Sequence, residues 1–394
     1  MRRVTIWSRT AASRVAASGL WLTIGNGGAS GGSWTGPGTL PIWGPFSGAA
    51  LRDLAGVVIG GAVSTTTFTN VSSIELHGSL TTPVGSTFTL PASTVLVGGQ
   101  FAGGGSVVVP AGGTFRETSC EGSVAGPLVN NGTLTLECGQ LIVTRAVTNN
   151  GTITGSGRIV SYEATKPTLT NATSGVIRPE TNGNLGIDIP VVNNGRIVPT
   201  LGSLAFSSLT LRSTSVLQAD VGPTGAVARV SVSGNTSLGG TLAITTTSSY
   251  TPAVGTSVTV LSTGGTQAGS FSFVTNRAIR STAVAWTVLT SNGLVRLSAQ
   301  ANQPPSANAG ANFEVNSGIA FVVRGSGVDP EGAPLQFRWT LVSGAPAVLR
   351  REREAEVTVD PITGPATVTL RLTVTDSAGL MATDDVTVTI KKPK

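Results

Sequence analysis

The chain has 394 residues, with 52 Gly, 21 Pro, 2 Cys, one His and a formal net charge of +6. That length predicts two or three domains. Apolar residues at 40% suffice for a core, whereas charged residues at 11% fall far below the usual share of about a quarter, so the surface must consist mostly of Ser, Thr, Asn and Gly. A single His77 and nine acidic residues before position 300 leave little material for catalysis or for a buried metal centre.

The charge is uneven: residues 1 to 300 hold 16 basic and 9 acidic side chains, residues 301 to 394 hold 9 and 10. The basic residues of the first 300 positions stand mostly singly, with no run beside stacked aromatics, which excludes a nucleic-acid footprint of the clustered kind. The surplus fits weak attraction to acidic polysaccharide or an envelope. No segment reaches the run of about 18 apolar residues that spans a bilayer as a helix.

In chain order, Met1-Arg2-Arg3 followed by apolar Val15 to Ile24 resembles a secretory leader, with Ala29-Ser30-Gly31 as a small-residue cleavage region, but Arg9 and Arg14 interrupt its apolar stretch. Residues 1–54, Gly- and Pro-rich with Trp34 and Trp43, read as a leader or N-terminal cap, disorder being the alternative. From residue 55 onward short alternating strands recur, such as Ser73-Ile-Glu-Leu-His-Gly78 and Gly105-Ser-Val-Val-Val-Pro110, and helical periods are nearly missing. The fold class is all-β.

The clearest signal is an internal repeat. Leu128-Val-Asn-Asn-Gly-Thr-Leu-Thr-Leu136 returns as Ala146-Val-Thr-Asn-Asn-Gly-Thr-Ile-Thr154, in looser form as Thr168-Leu-Thr-Asn-Ala-Thr-Ser-Gly-Val-Ile177, and as Pro190-Val-Val-Asn-Asn-Gly-Arg-Ile-Val198. Such a period predicts a right-handed parallel β-helix over residues 55–212, with Asn and Gly supplying left-handed corners. Antiparallel hairpins remain the alternative, since Asn-Gly also closes hairpins. Asn130 and Asn149 would stack as a hydrogen-bonded ladder. Cys120 and Cys138 sit at nearly the same offset before successive Asn pairs, hence on adjacent rungs about 4.8 Å apart, within reach of a disulfide; two buried thiols are the other reading.

Residues 213–299 read as closing rungs and a capping β region. Leu238-Gly-Gly-Thr-Leu242, Thr251-Pro-Ala-Val-Gly255 and Gly269-Ser-Phe-Ser-Phe-Val274 resemble the closing rungs of bacterial autotransporter-type passenger β-helices, a likeness that runs over about 128–298. Residues 300–304 form a linker, with the Pro304-Pro305 pair at its boundary with the next segment. The segment 305–391 is similar to PKD-type immunoglobulin-like modules, over about 303–390: Pro305-Ser-Ala-Asn-Ala-Gly310, the loop Asp329-Pro-Glu-Gly332, the strand Phe337-Arg-Trp-Thr340, and Leu370-Arg-Leu-Thr-Val-Thr-Asp-Ser-Ala-Gly-Leu380 carry the likeness. It implies a β-sandwich with Trp339 as the central aromatic.

Polysaccharide-cleaving chemistry needs two or three carboxylates close together. In the solenoid only Glu117, Glu121 and Glu137 lie near one another; Asp188 and Asp220 stand alone, and His77 reads as an exposed strand residue. No catalytic residue and no enzyme activity is expected. In the sandwich Asp329, Glu331, Asp376, Asp384 and Asp385 are candidate calcium ligands, with Asx-turn and strand-edge roles as the alternative. Arg350-Arg-Glu-Arg-Glu354 reads as a solvated turn, and the five Asn-x-Ser/Thr sites at Asn70, Asn131, Asn150, Asn171 and Asn235 as turn chemistry. The expected role is an exported cell-surface or extracellular structural and adhesive protein whose partner is a polysaccharide or a surface protein, with no other cofactor; a carbohydrate-binding or polysaccharide-degrading β-helix is the alternative.

Overall fold

The computed structural model describes residues 33–393 except 49, 65–66, 120, 200–201, 223–228, 248, 278 and 280–283, together with the backbone of four short strands in the first 32. The leader and cleavage motifs at 1–31 therefore lie largely outside the described residues. Strands of three or four residues turn one side chain inward and the next outward, as in Thr133–Leu136, where Leu134 and Leu136 are buried. No such strand is stable by itself; stacking makes it so. Ser93–Leu96, Gln100–Gly103 and Ser106–Val109 form three sides of one coil, and the next strand, Thr114–Glu117, lies parallel on Ser93–Leu96. Among the described residues the chain is all-β without helix, a β-solenoid followed by an immunoglobulin-like sandwich.

The first side of the solenoid is a parallel sheet of twelve strands, from Thr39–Ile42 to Phe273–Thr275. Along it Leu40, Val57, Ile74, Thr94, Phe115, Leu134, Ile153, Ile177, Ile197, Leu217 and Leu242 follow one another in register as an inward column. Parallel pairing decides against the hairpin alternative. The solenoid also starts earlier than its composition suggests. Ser33–Thr35 and Thr39–Ile42 pair in register with later strands, and Trp34, Leu40, Ile42 and Phe46 belong to the same core. Gly and Pro hid those rungs, because the strands between them are only three or four residues long and one strand, Thr39–Ile42, itself contains Pro41.

The repeated glycines act differently from the expectation of left-handed corners. None of Gly132, Gly151, Gly175 and Gly195 has a positive φ. A Cβ at Gly151 would lie 2.0 Å from the carbonyl oxygen of Gly132, and one at Gly132 would lie 2.2 Å from that of Gly113. Glycine is required there because successive coils pass too close for any side chain.

Beside these corners the asparagine ladder runs through four rungs, two more than the sequence suggested. Asn130 donates to Asn149 (2.7 Å), Asn149 to Asn171 (2.6 Å) and Asn171 to Asn193 (2.6 Å), all four fully buried. Backbone carbonyls such as Thr152 O and Gly195 O take further amide protons, so the buried amides are satisfied.

At its far end the solenoid closes on an antiparallel hairpin, Val284–Ser291 with Leu294–Ala301, whose second strand also pairs antiparallel with Ser257–Thr263. Trp286 is fully buried there and donates to Thr246 Oγ1 at 2.9 Å. An edge of parallel strands is thus covered. The C-terminal domain has a four-stranded sheet (Phe313–Val315, Met381–Ile390, Ala366–Thr375, Gln336–Gly344) facing a three-stranded one (Phe321–Arg324, Glu356–Val359, Leu349–Arg350). Trp339 is buried between them, as expected of its central aromatic, and the two regions keep separate cores.

Candidate functional site

The three carboxylates that could have formed a catalytic group on the solenoid have three different fates. Glu117 occupies an inward position in the column Ile42, Ile59, Leu76, Leu96, Glu117, Leu136. It is fully buried; Oε1 accepts from Ser119 N (3.0 Å) and Ser119 Oγ (2.7 Å), and Oε2 has no partner. Burial pushes its carboxyl above the ordinary carboxylate range, the two bonds from Ser119 pull it back, and the negative charge of Glu137 adds a smaller upward push. Glu137 is on the outer surface in an ion pair with Arg116. Glu121 is exposed on the second side and accepts a long bond from Gln140 (3.4 Å). A buried acid, a paired acid and a solvated acid do not make the paired carboxylates of glycoside cleavage.

His77 is at a corner rather than in a strand, its Nε2 2.6 Å from Glu75 Oε1. Asp188 pairs with Arg158, and Asp220 accepts from Gln218 at 2.8 Å. Cys120 lies outside the described residues; Cys138 is exposed, with Sγ 3.2 Å from Thr118 O. Of the Asn-x-Ser/Thr sites, Asn171 is a fully buried rung of the ladder, and Asn70 takes a positive φ of 52° while donating to Asp53 (2.9 Å).

In the sandwich the structure divides the five acidic candidates. Asp329, Glu331 and Asp376 are buried at the end that receives the linker. Asp376 Oδ1 accepts from Ala378 N and Leu380 N, both at 2.8 Å, and Oδ2 accepts from Asn302 Nδ2 at 2.7 Å. Glu331 accepts from Gln303 N (3.2 Å), and Asp329 Oδ1 from Ala333 N (2.7 Å). Two oxygens here are buried without partners, Asp329 Oδ2 and Asn302 Oδ1. Asp384 and Asp385 are elsewhere: Asp384 accepts from Ala309 N (2.8 Å), and Asp385 forms a two-point pair with Arg371 (2.7 and 2.8 Å) on an exposed strand. Among the described residues no three side chains of His, Cys, Asp and Glu gather as a ready metal cage. The junction differs in mixing carboxylates with the amide of Asn302, a residue the sequence hid inside the linker.

Arg350 pairs with Asp360 and Arg351 with Glu354, so the mixed-charge loop is internally paired. Among the described residues no helix is long and apolar enough to cross a membrane.

With this geometry in place, residues 309–390 match the model of a PKD domain family. The C-terminal unit is a PKD-like domain. Solved structures similar to the chain include a nucleoside hydrolase-related protein from Saccharophagus degradans associated with carbohydrate metabolism, at 18% identity and a TM-score of 0.22, over 23% of this chain and 26% of that one. The PKD domain of the KIAA 1837 protein is similar at 19% identity and a TM-score of 0.19, over 22% of this chain and 87% of that one. No curated protein matched the sequence.

Proposed function

We propose that the protein is an exported, non-enzymatic adhesive rod: a β-solenoid stalk, with repeats of the autotransporter-passenger type, that carries a PKD-like domain at its end and works in surface or matrix contact. One observation carries this reading. Of the stalk's acidic side chains, Glu117 is buried, Glu137 and Asp188 are paired with arginine, Glu75 with His77, Asp53 and Asp220 accept from side-chain amides, and Glu121 is exposed, while an unbroken core runs from Trp34 to Ala299. A rigid element without paired carboxylates suits contact through loops more than bond cleavage. Incubation of the purified chain with acidic and neutral polysaccharides, followed by size chromatography, tests it: polymer length is expected to stay unchanged, and shortened polymer would overturn the reading.

The junction between stalk and sandwich belongs to the same proposal. The two orphaned oxygens, Asp329 Oδ2 and Asn302 Oδ1, are a carboxylate and an amide oxygen, donors that a hard cation such as calcium takes alike. Asn302 and Asp329 would hold it, and it would tie the linker to the Asp329 loop of the sandwich. Titration of the full chain with calcium under calorimetry is expected to show one site, lost in Asp329→Asn; no heat in the unmodified chain would remove calcium from the account.

A further inference from the structure

We propose that one column of the solenoid's second side, from the Trp43 indole to the Tyr162 phenol, is a binding track for a neutral polysaccharide. The register defines the column. Ala62, Ser79, Gln100 and Ser123 pair successively along the second side, so Gly60, His77, Gly98 and Glu121, each two residues earlier, line up as well; Glu121, Gln140 and Arg158 continue the line by direct pairing.

Its side chains run through rings, a gap and polar groups in turn. Gly60 is covered by the Trp43 ring, since a Cβ there would lie 1.9 Å from Trp43 Cε3, and the indole stands 6.0 Å from the His77 ring, centroid to centroid, while remaining 48% exposed. Gly98 has no side chain, and the space above it opens into a depression of about 430 Å³ between His77 and Glu121. Beyond it Gln140 donates to Glu121, and Tyr162, 72% exposed, donates its hydroxyl to Gln140 at 3.1 Å.

An exposed indole, an imidazole, a gap, a carboxylate, an amide and an exposed phenol thus follow one another over four rung steps, roughly 19 Å at the spacing of parallel strands. A pyranose ring is about as long as a rung is tall, so a sugar chain laid along the column would meet a new side chain at each ring. Its C–H faces suit the negative faces of Trp43 and Tyr162, and its hydroxyls can both donate and accept toward His77, Glu121 and Gln140. Glu121 lies in the middle of the track with the neutral amide of Gln140 as its partner, and Arg158, next on the line, is already paired with Asp188, which disfavours uronate or sulfate polymers and points to a neutral chain.

The track adds a ligand class to the adhesive reading and rests on it in one respect, that the ligand is held and not cleaved. The test uses the full chain in affinity electrophoresis through gels containing hydroxyethyl cellulose, galactomannan or xylan, beside gels with polygalacturonate or alginate, with chain length of each polymer followed in parallel. Retardation by at least one neutral polymer, little changed by salt, is expected. Trp43→Ala should weaken it about tenfold, and Tyr162→Ala about threefold, both with unchanged melting temperature. Gly98 has a φ of +69°, a conformation that asparagine adopts more readily than most residues, so Gly98→Asn fills the gap at a small backbone cost and should weaken binding severalfold. Retardation by the acidic polymers only, by no polymer, or equally in all three variants overturns the track and leaves the rod. Polymer shortening overturns the adhesive reading and leaves the track.

Discussion

The stalk and the terminal domain are both all-β, yet they bury polar groups in opposite ways. In the stalk most strands pair with one about twenty residues away, and the amides it buries repeat with the same period: Asn130, Asn149, Asn171 and Asn193 satisfy one another in a row. In the sandwich, pairing joins distant segments, such as Phe313–Val315 with Met381–Ile390, and the buried polar groups are carboxylates gathered at one end. Neutral amides can be repeated without charge accumulating; carboxylates cannot. The stalk therefore grows by copying, while the sandwich places its charges once, where the two regions meet.

If that contrast holds, perturbations should stay in the region they touch, because the cores are separate. Calorimetry of the full chain is expected to show two transitions. The largest effect belongs to Trp286→Ala, which empties the covering hairpin and should lower the stalk transition by about 4 kcal/mol while leaving the sandwich transition in place. Asn149→Ala breaks the ladder in the middle, leaves Asn130 and Asn171 short of a partner, and should cost about 2–3 kcal/mol. Chelation of calcium at a starting concentration of roughly a hundred times the dissociation constant should lower the sandwich transition alone, by about 2.7 kcal/mol. A joint shift in any of these would show the two regions to be one cooperative unit.

The smallest effect is the one exception to the stalk's neutrality. Glu117 has its folded pKa raised, so the folded state binds more protons than the unfolded one over the interval between the ordinary carboxylate value and the raised value. Stability is full below that interval and falls as pH rises through it. Glu117→Leu continues the aliphatic column of Leu96 and Leu136, and should stabilise the stalk by about 1–2 kcal/mol at neutral pH. Urea unfolding at acid and neutral pH checks it: the gain should shrink or reverse in acid.

How much of this was legible depended on what repeats. The stack, the ladder's first two members and the PKD-like domain could be read, because Asn-Asn-Gly recurs and because Trp339 and the Asp329 loop lie in a recognisable order. The strands before residue 55 were hidden, since three-residue strands between glycines carry no period. In the sequence Glu117 was only one of three neighbouring acids, and it is the register that turns it inward. The track could not be read at all: steps of 17, 21, 23 and 19 residues separate positions 60, 77, 98, 121 and 140, and only the stacking of uneven coils aligns them. Asn302 was hidden for another reason, as its role exists only once the loops of Asp329 and Asp376 close around it.

The last strand of the covering hairpin has a mechanical meaning. Leu294–Ala301 is bonded on one flank to Val284–Ser291 and on the other to Ser257–Thr263, and it leads without interruption into Asn302. A pull on the terminal domain therefore enters the stalk along a strand gripped on both sides, so many hydrogen bonds are loaded in shear together and none is peeled off singly. The cover of the stalk is also its tow line, and a tether under tension would be expected to part at the junction before it unravels the coils.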